Sequence, residues 1–327
     1  MYCTKKQIFF VMIFIGVLLP FGVVFGTATI DSKSINLFVY LTIAIAGYLF
    51  LYLLYQCNSW EFTFLELRTI PFVLVTFTIG IKLYKGGFST SIHPHDWWIE
   101  IVSILVLLFL CRHIYKVLRA SKKPENILEM SFPFKEGRYL ITDGGDGWIS
   151  ALINYHYKSS THNKHGTQDA MRYAVDIVRL GSWGRAISKS IAFSNNEEYA
   201  IFHNIIISPI DGTVVKVKDG IKNNRPFPGK GSLPYNLGNC VVIKKGDYYI
   251  IMGHMERGSI LVQEGDSVHI GDKIGLVGNS GLTPRPHLHM QVSKCKDGNY
   301  WFAEGVPIVF NQTFYPVKNR ITTIPEI

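Results

Sequence analysis

Long apolar runs in the first 120 residues constrain the fold of this chain more than any other feature of its sequence. Hydrophobic residues make up 48% of the 327 residues, and nearly all of the excess over a water-soluble protein lies in this part. A helix that crosses the ~30 Å hydrocarbon core of a bilayer needs about 20 mostly apolar residues. We therefore expect residues 1–120 to form a multi-pass transmembrane region in contact with a lipid bilayer.

Four segments of this region are candidates for transmembrane helices. They are Ile8–Phe25, Leu37–Tyr55, Ile70–Leu83 and Trp97–Leu110, the last with an extension to Leu118. The third segment is short and contains Lys82, so we predict four transmembrane helices with three as the alternative. A cleaved signal peptide at the first segment is disfavoured, because no A-x-A cleavage site follows it.

Basic residues at the two ends of this region bear on its orientation. Lys5 and Lys6 precede the first apolar segment, and five basic residues follow the last one, namely Arg112, Lys116, Arg119, Lys122 and Lys123. Cytoplasmic loops are enriched in such residues, so four helices would leave the second half of the chain inside the cell. Long domains can cross the membrane regardless of these charges, and the orientation therefore stays open.

The overall charge and the cysteines exclude some classes of protein. A net charge of +9 is compatible with an anionic surface or polymer as partner. No basic run interleaved with aromatic residues occurs, so we expect no nucleic acid partner. The five cysteines are widely spaced and form no C-x-x-C pair, so the sequence predicts no disulfide framework.

The composition changes to that of a globular protein near residue 121. We predict a linker at residues 121–135, a folded domain at 136–315 and a C-terminal tail at 316–327. Six short segments of this domain are predicted strands, namely Ile205–Ser208, Thr213–Val217, Cys240–Lys244, Tyr248–Met252, Lys273–Val277 and Leu288–Val292. No long amphipathic helix separates them, which predicts a mainly antiparallel β domain.

Candidate metal ligands lie on these strands. His287 and His289 flank one residue of a strand, so their side chains point to the same face, although an isolated pair of this kind is more often solvated. Asp176 lies between apolar residues of another alternating strand, where a buried carboxylate must be compensated. His254 follows the strand Tyr248–Met252. A zinc site with one open position needs about three protein ligands, and these four side chains could supply them.

Five separated sequence blocks extend this observation. They are Ser208–Val215, Gly238–Ile243, Met252–Met255, Glu264–Gly281 and Pro286–His289. In this order they resemble the core of the LytM/lysostaphin-type zinc metallopeptidases, over roughly residues 140–295 and nowhere in residues 1–120. The resemblance implies a compact, mainly antiparallel β domain whose groove holds one zinc ion per chain. It also implies cleavage of peptide bonds, usually in peptidoglycan.

The same resemblance implies roles for individual residues. Asp176 and His289 are the implied zinc ligands. His254 and His287 are the implied catalytic pair that activates water and stabilises the oxyanion. Hydrolysis of a cell-wall peptide would require the domain to lie outside the cytoplasm, although the basic residues at the ends of the membrane region argue the other way.

One ligand position departs from the usual pattern of the family. The residue four positions before Asp176 is usually a histidine ligand, but here it is Arg172, whose guanidinium cannot bind zinc. A branch of the family resembles this chain in having Asn-x-His further upstream, which makes His156 the candidate for the third ligand. His162 and His165 are the alternatives.

The sequence therefore predicts a membrane-anchored zinc endopeptidase that acts on peptidoglycan or on another peptide. The alternative is a catalytically inactive scaffold or wall-binding domain of the same fold. Arg172 favours this alternative, whereas the joint retention of Asp176, His254, His287 and His289 opposes it.

Overall fold

The structure is a computed structural model that describes residues 14, 18–57, 60–62, 65–90, 94–157, 169–188, 195–227 and 237–326. The chain forms two compact units. One comprises Ile8–Ser59 and Thr63–Arg119 and is helical; the other includes Trp60–Phe62 and Ala120–Ile327 and is built on β strands.

The helical unit contains four described helices. They are α1 (Leu19–Thr29), α2 (Leu37–Cys57), α3 (Ile70–Lys85) and α4 (Pro94–Ala120). Within the described residues, two stretches are long and apolar enough to cross a membrane, Leu37–Gln56 with 20 residues and Trp97–Ala120 with 24.

The predicted count of four transmembrane helices is therefore not confirmed. Half of the first predicted helix, Ile8–Phe25, lies outside the described residues. Helix α3 coincides with the third prediction, but its 16 residues span only about 24 Å at 1.5 Å per residue. That length is shorter than the ~30 Å hydrocarbon core of a typical bilayer.

Small and polar residues mark the contacts among these helices. A Cβ added to Gly47 of α2 would lie 3.2 Å from a methyl carbon of Val23, so the missing side chain allows α1 to pack closely. Thr42 of α2 donates a hydrogen bond to Glu100 of α4 at 3.2 Å. These contacts tie α1 and α4 to α2.

The β unit is organised around one large antiparallel sheet. The described strands are β1 (Leu128–Met130), β2 (Gly137–Asp143), β3 (Val175–Arg179), β4 (Ile205–Ile207), β5 (Gly212–Lys218), β6 (Asn239–Lys245), β7 (Tyr248–Met255), β8 (Ser267–Val268), β9 (Lys273–Leu276), β10 (Leu288–Lys294), β11 (Glu304–Gly305), β12 (Ile308–Phe310) and β13 (Ile321–Ile324). The sheet order is β13-β2-β3-β10-β7-β6-β5-β8, with β11 paired to β10. Two small sheets, β1-β12 and β4-β9, complete the unit. The predicted mainly antiparallel β domain is confirmed.

Strand β10 separates the core of the β unit from its polar face. Successive side chains of a strand point to opposite faces, so Leu288, Met290 and Val292 share one face and enter the main hydrophobic core. His289 and Gln291 point to the other face and are nevertheless buried, at 1% and 0% exposed. Buried polar groups require partners, so this second face must supply them.

Two strands lie in segments that the sequence predicted to be a linker and a tail. Strand β1 falls within residues 121–135 and pairs with β12 in parallel. Strand β13 falls within residues 316–327 and forms one edge of the large sheet by pairing with β2. Both strands are short and depend on partners distant in sequence, which local patterns do not reveal.

We predict that Gly238→Ala destabilises the β unit far more than Gly246→Ala. Both glycines have left-handed backbones, at φ 62° and 58°, where an L side chain costs roughly 1–2 kcal/mol. A Cβ at Gly238 would also collide with the backbone carbonyl of Ser280, whereas nothing lies within 4 Å of one at Gly246. Forced overpacking should add about 1–3 kcal/mol to the loss for Gly238→Ala.

The measurement is thermal unfolding of the full chain in detergent, with Gly246→Ala as the matched control. Equal losses of stability in the two variants would contradict the predicted contact between Gly238 and Ser280.

Candidate metal centre

Asp176 lies at the centre of a cluster of histidines on the polar face of the large sheet. It is directly opposite His289 in the antiparallel pair of β3 and β10. The Nδ1 atom of His289 is 3.0 Å from Oδ1 of Asp176. Asp176 is 6% exposed, and burial of a carboxylate at this depth requires compensation by cations or hydrogen bonds.

His287 and His254 approach the same carboxylate from neighbouring segments. His287 immediately precedes β10, and its Nε2 atom is 3.2 Å from Oδ2 of Asp176. His254 lies near the end of β7 in a left-handed conformation with φ 63°, where its amide donates to the carbonyl of Leu237 at 2.7 Å. The ring of His254 is centred 4.7 Å from that of His287. Of the three histidines named in the sequence motifs, His287 and His289 therefore contact Asp176, and His254 lies beside their rings.

His156 completes the cluster from a loop between β2 and β3. Its Nε2 atom is 3.3 Å from Oδ1 of Asp176, and its ring is centred 4.8 Å from that of His289. Of the three upstream candidates, His156 is the one that the described residues bring to Asp176, while His162 and His165 lie outside the described part of the chain.

Asn154 fixes the orientation of His156. Its side-chain oxygen accepts a hydrogen bond from Nδ1 of His156 at 3.0 Å. Its side-chain amide donates to the carbonyls of Gly145 at 2.8 Å and Ala174 at 2.9 Å. These contacts determine which way the amide of Asn154 faces, and they leave Nε2 of His156 directed at Asp176.

Each of the other three imidazoles is also held by an acceptor. Nδ1 of His254 donates to the carbonyl of Ser280 at 2.8 Å, and Nδ1 of His287 donates to that of Arg285 at 2.9 Å. Nε2 of His289 contacts Oε1 of Gln291 at 3.0 Å. A neutral imidazole with one nitrogen protonated presents a lone pair on the other, which is the form that binds metals.

This arrangement fits a divalent cation. Ligand atoms of His156, Asp176 and His289 all lie within 4.8 Å of one another. Nitrogen lone pairs that face a carboxylate at 3.0–3.3 Å repel it unless a cation or protons lie between them. Two imidazoles and one carboxylate form a common donor set for zinc in catalytic sites.

The surroundings shift the pKa values of His156 and His254 in opposite directions. Burial lowers the pKa of His156, but the charge and hydrogen bond of Asp176 outweigh it and raise the pKa to about 9. Burial, followed by the charges of His287 and His289, lowers the pKa of His254 well below its usual value. The pKa of Asp176 lies well below its usual value, because the charges of His156 and His287 outweigh the effect of its burial. Asp176 is therefore ionised and His254 neutral at neutral pH.

Arg172 has a separate structural role. Its Nε and Nη2 atoms form a two-pronged contact with Asp146, at 2.9 and 2.6 Å. Its guanidinium lies 4.8 Å from the ring centre of Trp148 and 4.9 Å from that of Tyr173. These partners account for an arginine at this position, because its guanidinium is paired with Asp146 and packed on the two aromatic rings.

The residues that orient the imidazoles were not predicted from the sequence. Gln291 could have been found, because it lies two residues after His289 and so shares its strand face. Asn154 is part of the quoted Asn-x-His pattern, but the pattern gives it no role. Ser280 and the carbonyl of Arg285 act through the backbone, which leaves no signal in residue type.

Comparisons with known proteins match this description. Residues 192–301 match Peptidase family M23. This range includes His254, His287 and His289, while His156 and Asp176 precede it.

Two curated relatives and one solved structure illustrate the match. An uncharacterized metalloprotease of Buchnera aphidicola is 37% identical over 84 residues, covering 26% of this chain and 20% of the relative. Peptidoglycan DD-endopeptidase ShyA of Vibrio cholerae is 31% identical over 109 residues, covering 32% of this chain and 21% of the relative. The chain thus spans about a fifth of the length of these relatives. The crystal structure of a zinc containing peptidase from Vibrio cholerae is 22% identical, with a TM-score of 0.29, over 49% of this chain and 35% of that one.

The family match contains three of the cluster's histidines, and the rest of the cluster comes from the preceding segment of the same β unit. The chain therefore carries a domain of peptidase family M23.

Proposed function

We propose that this chain is a membrane-anchored zinc metalloendopeptidase that hydrolyses peptide bonds in peptidoglycan. The observation that carries the proposal is the contact of three imidazoles with the buried carboxylate of Asp176, with the ring of His254 next to that of His287. The family match and a relative named as a peptidoglycan endopeptidase support the choice of reaction and substrate.

His156, Asp176 and His289 would hold one zinc ion. Zinc bound there would polarise the scissile carbonyl and lower the pKa of a coordinated water molecule. Asn154 and Gln291 each hold one ring nitrogen of a histidine ligand, which would leave Nε2 of His156 and Nδ1 of His289 for the metal. Outer hydrogen bonds of this kind commonly change metal affinity by about 10–100-fold.

His254 and His287 would handle the proton and the developing negative charge. Because the Nδ1 atoms of both rings donate to backbone carbonyls, Nε2 is the nitrogen left for substrate. A neutral His254 can accept the proton of the attacking water at Nε2, and a protonated Nε2 of His287 can donate to the oxyanion. The ring centres are 4.7 Å apart, so both side chains can reach the same peptide bond.

The helical unit would anchor the enzyme in the cell membrane. Two of its helices are long and apolar enough to cross a bilayer, and several large apolar side chains of α4 are exposed, including Leu105, Leu108 and Phe109. A lipid bilayer would cover such side chains. Because peptidoglycan lies outside the cytoplasm, the proposed function requires the β unit to lie outside as well.

We predict that Asp176→Asn and His156→Ala each weaken zinc binding by at least about 100-fold, because removing a ligand should cost as much as removing a supporting hydrogen bond or more. Arg172→Gln should retain stoichiometric zinc. The measurement is the metal content of the purified full chain after dialysis, with thermal unfolding to check the fold. Full zinc retention in a folded His156→Ala variant would contradict the role of His156.

We predict that His287→Ala retains zinc but loses about 10²–10⁴-fold of the hydrolytic rate, the usual contribution of an acid–base group. The measurement is the release of amino groups from purified peptidoglycan. If the zinc-loaded wild type released no more amino groups than His287→Ala, the inactive scaffold or wall-binding domain would be the better function.

We predict that a reporter fused after Ile327 is exposed outside the cytoplasm. An alkaline phosphatase fused at this position becomes active outside the cytoplasm, whereas a green fluorescent protein fused there and carried across the membrane does not fluoresce. A fluorescent fusion with inactive phosphatase would contradict action on the cell wall, whatever the metal content of the protein.

A further inference from the structure

Three residues between α2 and α3 in sequence belong to the β unit. Trp60–Phe62 form a single 3-10 turn. Glu61 is 0% exposed and Trp60 is 5% exposed. Acidic side chains are almost never fully buried unless they are paired, so the burial of Glu61 requires a specific partner.

The backbone and side chains of this turn contact three separate segments of the β unit. The amide of Ala186 donates to the carbonyl of Glu61 at 2.7 Å. The ring of Phe62 is centred 6.1 Å from that of Phe227 and 5.8 Å from the guanidinium carbon of Arg285. Proteins that bind a peptide in a groove use contacts of the same two kinds, namely hydrogen bonds to the peptide backbone and separate contacts to its side chains.

Glu61 forms a buried ion pair with Arg285. The contact joins Oε1 of Glu61 to Nη2 of Arg285 at 2.6 Å, with the two side chains 1% and 11% exposed. Among the described residues, neither the carboxylate oxygens of Glu61 nor Nε of Arg285 have a partner with hydrogen-bond geometry, so the contact between the two side chains is an ion pair only. A guanidinium can hold a carboxylate with two parallel hydrogen bonds, so the single contact with Glu61 does not use all the N–H donors of Arg285.

Arg285 is adjacent to the candidate metal centre. Its carbonyl accepts the hydrogen bond from Nδ1 of His287 at 2.9 Å and one from the hydroxyl of Thr283 at 2.7 Å. The charges of Glu61 and Asp176 both raise the pKa of Arg285 against the opposing effect of its burial. Arg285 therefore belongs to the turn whose backbone carbonyl holds the ring of His287.

We propose that Arg285 and the amide of Ala186 form a subsite for a carboxylate-bearing residue of the peptide substrate, and that Glu61 is an internal occupant which this residue displaces. The inference rests on the proposed peptidase function and deepens it. Arg285 would select acidic peptides, and Glu61 would compete with them at the same guanidinium.

The activity test uses the full chain in detergent and two forms of one substrate. Purified peptidoglycan is compared with the same material after its free carboxylates have been converted to carboxamides. The wild type should cleave the native form better. Glu61→Gln should lower the apparent KM for the native form by roughly tenfold if the internal occupant fills the subsite about 90% of the time.

Arg285→Gln should raise the KM for native peptidoglycan and remove the difference between the two forms. Glu264→Gln is the matched control, because Glu264 pairs with Lys216 at an exposed site at 3.1 Å. An unchanged or higher KM in Glu61→Gln, or persistent discrimination in Arg285→Gln, would overturn the subsite.

A binding test separates this inference from the proposed function. Glu61→Ala leaves Arg285 unpaired, so acetate should raise the melting temperature of this variant, whereas acetamide should not. Glu61→Gln serves in place of Glu61→Ala if the latter does not fold. If the wild type cleaves neither form of peptidoglycan, the proposed function fails, and the acetate result alone then decides the subsite. Equal responses to acetate and acetamide would overturn it.

Discussion

The buried carboxylate of Asp176 is the constraint on which the rest of the β unit depends. A charge at 6% exposure is unfavourable unless cations or hydrogen bonds compensate it. Three histidine nitrogens lie within 3.3 Å of its oxygens, where protons or a cation between the two provide this compensation, and each of these histidines is held by a second contact of its own. The loop of His156, the turn before β10 and strand β3 must therefore be positioned together, and the same arrangement brings together three side chains that could hold a metal ion.

The sequence predicted much of this arrangement because strands carry a simple periodicity. The six predicted strands all occur, with ends that differ by at most three residues, as for Tyr248–Met252, which extends to Met255. The alternation of His287, His289 and Gln291 against Leu288 and Met290 separates polar from apolar faces without any knowledge of the tertiary fold. The family resemblance added what periodicity cannot give, namely that strands distant in sequence meet at Asp176.

Other features were not predictable because they depend on contacts between distant segments. Asp146 and Trp148, which are the partners of Arg172, lie in a loop whose path no local pattern describes. The four residues of strand β13 lie in the segment predicted as a tail, and they form a strand by pairing with the distant strand β2. The insertion of Glu61 into the β unit is a further case, because a loop between apolar helices gives no sign that one carboxylate will be fully buried. The predicted count of four transmembrane helices is not confirmed for a related reason, since apolar composition does not set the length of Ile70–Lys85.

The two-faced strand β10 has a consequence for how the family can vary in length. Substitutions within the strand change one face at a time, since odd and even positions point in opposite directions. A one-residue insertion between His287 and Val292 would instead exchange the faces, turning core residues towards the metal centre and imidazoles into the apolar core. Homologues should therefore accept changes of residue type on the apolar face of this segment while keeping its length fixed, and insertions should accumulate in loops such as the one between β2 and β3.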